Sequence, residues 1–285
     1  MRVKSLSSLR FLFFISIFLS HYIWNGEFLF PMGGPMGVSF FFILSGFSLS
    51  MGYGSKIQSI DMKEFLKKRL IKVYPMHLIT LGFRVITFLI IPLVLGECVT
   101  KKIISLVLNV FLLQAWVPDA EIIFSYNTIA WFLSPIVFFY VVFPVLYKLI
   151  EKVKLRHFIP IIIILYVLAV SFVPEGLYQE FIYVAPLFRV VDFIIGIVSY
   201  KLLKRLLNNG IGVSLFKRNI RVAPYVIEAL VVLIVILTII IHGLCDVRLG
   251  MAALFWLPMA AIIILLSLSE TQVGGVFYQI RYWKN

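Results

Sequence analysis

Eight long apolar runs alternate with short polar connections: Leu9–Trp24, Val38–Met51, Tyr74–Gly96, Ile129–Ile150, Phe158–Val173, Ala185–Leu203, Pro224–His242 and Met251–Leu268. Most approach the roughly 20 residues that a helix needs to cross the hydrocarbon of a bilayer. Backbone in lipid must satisfy its own hydrogen bonds, which favours helices. The pattern therefore predicts an all-α fold, a polytopic transmembrane helical bundle of about 8–10 membrane segments. A further piece, Ile103–Val117, is thin for a crossing. No internal repeat or low-complexity tract interrupts the pattern, so residues 1–285 read as a single integral-membrane domain.

Charge sorts the connections. Lys and Arg gather at the start (Arg2, Lys4), in the 52–73 loop (Lys56, Lys63, Lys67, Lys68, Arg69, Lys72), in the 148–156 turn (Lys148, Lys152, Lys154, Arg156), in the 201–221 loop (Lys201, Lys204, Arg205, Lys217, Arg218, Arg221) and in the tail (Arg281, Lys284). The positive-inside rule puts these, with the N-terminus, in the cytoplasm. The connections around Glu27, Asp119–Glu121 and Glu175–Glu180 carry acid without Lys or Arg and face outward. This alternation closes only if Tyr74–Gly96 and Ile129–Ile150 are the two crossings between Lys72 and Lys148. Ile103–Val117 then dips in and returns, or lies on the outer side.

Composition agrees with a membrane protein: 62% of residues are apolar, 14% are charged, and the mean hydropathy is +1.04. Soluble domains carry about 25% charged residues. A net charge of +13 would suggest nucleic acid in a soluble chain. Here the cations sit in short loops beside anionic headgroups, so membrane lipids, and no nucleic acid, are the expected partners. Cys98 and Cys245 lie far apart with no metal-ligand spacing, so no metal site is expected and a disulfide stays open. The N-terminal run begins basic but lacks a small-residue cleavage site, so it reads as a retained first helix.

Candidate chemistry begins in that helix. Arg10 and His21 are eleven residues apart, which places them on one helix face roughly 16 Å apart along the axis. Ionisable groups inside spans are costly and mark functional sites by default. The plainer alternative is that Arg10 snorkels to phosphates and His21 bonds a neighbouring helix. The run "MGGPMGVSFFFILSGF" supplies Gly33, Gly34, Gly37, Ser45 and Gly46, which permit close backbone approach to a helix or a ligand. Ser45 stands in no nucleophile frame. Arg69 and Lys72, three apart before Pro75, can hold a phosphate or simply anchor the cytoplasmic face. Arg189 and Asp192 form an i, i+3 pair that can neutralise itself. His77, His157 and His242 read as structural.

In this order the pieces resemble the acyltransferase-3 family of membrane acyltransferases: Arg10-x10-His21, "GGPMGVSFFFILSGF", "RLIKVYP", "WFLSPIVFFYVVFP" with Trp131 and Tyr140, and "RVVDFIIGI" with Arg189 and Asp192. The resemblance implies transfer of an acyl group, usually acetyl, from cytoplasmic acyl-CoA to a hydroxyl of a cell-envelope glycan, polysaccharide or lipid-linked saccharide. It implies a bacterial cytoplasmic (inner) membrane, acyl-CoA as donor substrate, and no tightly bound cofactor. It makes His21 the catalytic histidine, Arg10 its partner, and Arg69 with Lys72 the cationic pair for the donor. Gly34, Gly37, Ser45, Gly46, Trp131, Tyr140, Arg189 and Asp192 become substrate or structural motif positions. Many family members carry Glu where this chain has Pro135–Ile136–Val137, and the family usually continues beyond "QIRYWKN" into a further helix. A transporter or flippase-like protein for a glycan or anionic substrate, using Arg10, Arg84 and Arg189, is the competing class. An inactive truncated remnant is the third reading, and the oligomeric state stays open.

Overall fold

The computed structural model describes residues 5–96, 98–209 and 223–282. Arg2, Lys4, Lys217, Arg218, Arg221 and Lys284, invoked above for topology, lie outside the described residues. Apart from one small hairpin, the described chain is helical. Among the described residues, five helices are long and apolar enough to cross a membrane: 33–56, 74–94, 128–152, 225–242 and 253–270. Leu6–Ser20 and Leu155–Ser171 are apolar but shorter. The helix Pro186–Asn208 is long enough but carries Arg189, Asp192 and Lys201. The packing divides the chain into two compact units, residues 1–54 with 192–285, and residues 55–191.

The first unit contains α1 (Ser5–Ser20), a hairpin of β1 (Ile23–Trp24) and β2 (Glu27–Phe28), and α2 (Gly33–Tyr53). It also holds the larger part of α10 (Pro186–Asn208), then α11 (Ala223–His242), α12 (Val247–Gly250) and α13 (Trp256–Tyr282). Helix α1 packs on α2, and α13 packs on α1, α2 and α11. The approach is close because small residues meet backbone. A Cβ on Gly33 would collide with the Ser16 carbonyl, and one on Gly37 would lie 2.5 Å from Ile17 Cγ1. Gly46 and Gly196 interlock in the same way, Gly46 against the Phe193 carbonyl and Gly196 against that of Ile43. Of the two roles open to these glycines, helix packing is the one seen for Gly37 and Gly46. Phe13 stacks on Phe40 with ring centres 4.0 Å apart.

Helix α1 corrects the expected span. It stops at Ser20 rather than running to Trp24, because Asn25 (φ 51°) and Gly26 (φ 86°) make the tight turn of a hairpin. An Asn-Gly pair takes positive φ at both central positions more readily than other pairs. Ile23 faces Phe28 and Trp24 faces Glu27 across the turn. Helix α2 in turn begins earlier than expected, at Gly33 rather than Val38.

The second unit contains α3 (Met62–Leu70), α4 (Tyr74–Val85), α5 (Ile91–Val94), α6 (Thr100–Val110), α7 (Ala120–Ile123), α8 (Leu133–Lys152) and α9 (Leu155–Ser171). Helices α4 and α5 are joined by a wider π turn, Ile86–Ile90. Pro92, which has no N–H for the carbonyl four residues before it, accounts for the widening. The expected cationic loop Lys67–Pro75 is instead the last turn of α3, a short turn, and the start of α4. Asp61 caps α3 by accepting from the Lys63 N–H at 2.9 Å.

Helix α6 has 11 residues, roughly 16 Å of helix, and cannot cross a bilayer. Lys101 at its start pairs with Asp119 at 2.8 Å and Glu121 at 2.6 Å. The two ends of the segment between them therefore lie side by side.

Candidate active site

His21 follows the last residue of α1. Its Nδ1 lies 2.8 Å from the Ile17 carbonyl. A carbonyl oxygen can only accept, so Nδ1 carries the hydrogen and the neutral ring leaves its lone pair on Nε2. Ser20 donates to the same carbonyl at 2.7 Å, which closes the last helical turn. The ring is exposed on the surface of its unit. Helix α2 supports this turn from behind: Gly37 rests on Ile17, Gly33 rests on the Ser16 carbonyl, and Ser16 Oγ donates to the Phe13 and Gly33 carbonyls. The imidazole is therefore placed by a backbone–backbone helix contact.

Arg10, also exposed, points Nη2 at Ser48 Oγ of α2 at 3.4 Å. It stands about three helical turns from His21, so one small reacting group cannot touch both. Gly34 is buried in the first turn of α2 and Ser45 is half-buried farther along it. Asp192 is wholly buried on α10.

In the second unit, Arg69 is half-buried. Its guanidinium lies 5.8 Å from the Phe65 ring centre and 5.9 Å from that of Tyr140. Phe65 itself sits against Tyr140 and Phe143 of α8 at 6.3 and 6.2 Å. Two expected motif residues thus meet, with an aromatic face holding the cation. Lys72 is exposed and borders a cavity of about 290 Å³ with Val73, Met76, His77, Asn127 and Leu133 among its walls. Arg69 is not one of those walls, so the two cations do not share this cavity.

Trp131 and Arg189 are brought together by a residue the sequence did not single out. Tyr183 packs tilted against Trp131 with ring centres 5.0 Å apart, and Arg189 lies 5.8 Å from the Tyr183 ring centre. Burial pushes the Tyr183 hydroxyl up to about 12, with Arg189 acting in the opposite direction, so the phenol stays neutral. Arg84, enlisted above for transport, donates Nε to the Tyr126 carbonyl at 2.7 Å from an exposed position. Tyr126 holds a positive φ of 55° to present that carbonyl. His77 is 4% exposed and gives its Nε2 hydrogen to the Asn109 carbonyl at 2.9 Å. His157 accepts from Arg156 at 3.0 Å and His242 stacks on Phe255, in keeping with structural roles. Both cysteines are free thiols.

A family model described as an acyltransferase domain matches residues 3–278. The chain is 36% identical over 126 residues to acyltransferase MdmB of Streptomyces mycarofaciens. That match covers 44% of this chain and 31% of the relative, so the similarity spans about a third of the relative's length. No solved structure matches the chain.

Proposed function

The chain belongs to the acyltransferase-3 family, and we propose that it is a membrane O-acyltransferase. In this reading it moves an acyl group, acetyl foremost, from cytoplasmic acyl-CoA to a hydroxyl of a cell-envelope glycan, polysaccharide or lipid-linked saccharide. In this reading it lies in the bacterial cytoplasmic membrane, and the clustering of Lys and Arg in its connections supports an N-terminus on the inner side.

The observation that carries the proposal is the bond from His21 Nδ1 to the Ile17 carbonyl. A hydroxyl attacks a thioester poorly until a base takes its proton, and a ring fixed in one tautomer offers that base at Nε2. Nε2 accepts the proton as the hydroxyl oxygen bonds to the thioester carbon. The C–S bond then breaks, the CoA sulfur leaves as thiolate, and the proton passes from Nε2 to sulfur. An ester and free CoA thiol result, and the histidine is neutral again. While the ring is charged, the Ile17 carbonyl holds its Nδ1 hydrogen.

Arg10, too far from His21 to touch the same atoms, serves an anionic part of the donor remote from the thioester. Arg69 offers a planar fork for phosphate and Lys72 a point charge, both suited to the CoA phosphates.

Mass spectrometry of envelope glycans from cells with and without the gene tests the reading. A glycan heavier by one acyl group only when the gene is present supports acyl transfer. A glycan of unchanged mass that is lost from the surface without the gene supports transport instead.

A further inference from the structure

We infer that the hairpin following His21 is an anchor that lies in the headgroup boundary of the bilayer and fixes the depth of the imidazole. Tyr22, Ile23, Trp24, Phe28 and Leu29 are between 43% and 61% exposed. Both strands have only two residues, and none of the four is buried. A two-stranded ribbon of that size is marginal in water, and five apolar side chains on it would make it worse.

Helix length supplies the second argument. The apolar stretch Leu6–Ser20 has 15 residues, roughly 22 Å of helix against about 30 Å of hydrocarbon. The turn at residues 21–22 and the extended pair Ile23–Trp24 add on the order of 10 Å, enough to reach the far boundary. The outward side chains of α1, Phe11, Leu12, Phe14 and Phe18, are about 60% exposed and lead straight into the hairpin. A hairpin leaves strand edges unpaired, which hydrocarbon does not tolerate but the wetter boundary does. Tyr22 and Trp24, stacked at 6.5 Å, are the residue types enriched at that level. No Lys or Arg occurs between Arg10 and Lys56, so attraction to anionic lipid is not the cause. The fitting partner is the acyl–headgroup boundary of neutral phospholipid.

The test needs no enzymatic activity, so its failure is distinct from failure of the acyl-transfer proposal. The full chain with Cys98→Ser and Cys245→Ser is spin-labelled at Trp24→Cys or Phe28→Cys in phosphatidylcholine nanodiscs. Glu175→Cys, on an acidic connection, serves as the aqueous control, and melting curves confirm that each labelled protein is folded. At 24 and 28, dissolved oxygen is expected to relax the label more than a water-soluble nickel chelate, inverting the order at 175, with no change on adding salt. Chelate-dominated relaxation at 24 and 28 would show an aqueous hairpin and overturn the inference. Labels shielded from both reagents would overturn it too, by showing a protein partner or a second copy in place of lipid.

Discussion

His21 and His77 are the same residue put to opposite uses, one in each compact unit. His21 ends a helix, donates Nδ1 to the carbonyl four residues before it, and leaves Nε2 exposed. His77 sits in the first turns of α4, donates Nε2 to the Asn109 carbonyl, and has its unpartnered Nδ1 walled in by protein. Asn109 continues that buried set by donating to the Ser105 carbonyl and to Ser125 Oγ, both at 2.9 Å. The ring nitrogen that is tied down thus decides what each histidine can do. His21 keeps a reachable lone pair, whereas His77 ties α4 to α6.

The sharpest way to break this comparison is His21→Ala. Loss of a positioned base should lower the rate of CoA thiol release with acceptor by about 10²–10⁴-fold, with melting temperature nearly unchanged. Full turnover would remove His21 from the chemistry. Gly37→Leu comes next, because its side chain would drive Ile17 and the turn that holds the imidazole away from α2. We expect roughly 1–3 kcal/mol of destabilisation by denaturant titration and about a hundredfold less turnover. His77→Ala should do the reverse, costing roughly 1–3 kcal/mol by stranding the Asn109 carbonyl. Turnover per folded molecule should then match wild type.

The smallest effect belongs to Lys101. Its hydrogen bond holds the Asp119 carboxyl below the ordinary carboxylate range. The carboxyl's contribution is therefore present above that range, about pH 4, and fades as pH falls through the lowered value. Lys101 itself is held above its ordinary value by hydrogen bonds to Asp119 and Glu121. Its contribution is complete below about pH 10 and fades as pH rises through the raised value. Hydrogen exchange of residues 100–123 should quicken at both extremes before the rest of the second unit responds.

Much of this was legible in the chain. The apolar period made the helical membrane fold legible, since hydrophobic length is a one-dimensional signal, and five helices among the described residues are long and apolar enough to cross. The position of Arg10 and His21 within an apolar run marked them as candidates, and the resemblance to the family supplied the role of base. Other features depend on partners distant in sequence. Tyr183 joins Trp131 to Arg189 across about fifty residues, and no local pattern announces it. The pairing of Arg69 with Tyr140 likewise needed α3 docked on α8. The hairpin was different: Asn25–Gly26 is a strong turn signal, but the apolar residues from Leu9 to Trp24 favour a helix running up to it. That expectation put His21 inside a helix when it lies just past the end of one.

The central claim is that the Ile17 carbonyl fixes the neutral His21 ring with its hydrogen on Nδ1. The ¹⁵N spectrum of histidine-labelled full-length protein in nanodiscs, taken in alkaline buffer and assigned with His21→Gln, reads this directly. A protonated Nδ1 and a bare Nε2 at His21 are predicted. A protonated Nε2 with a bare Nδ1 would contradict the account.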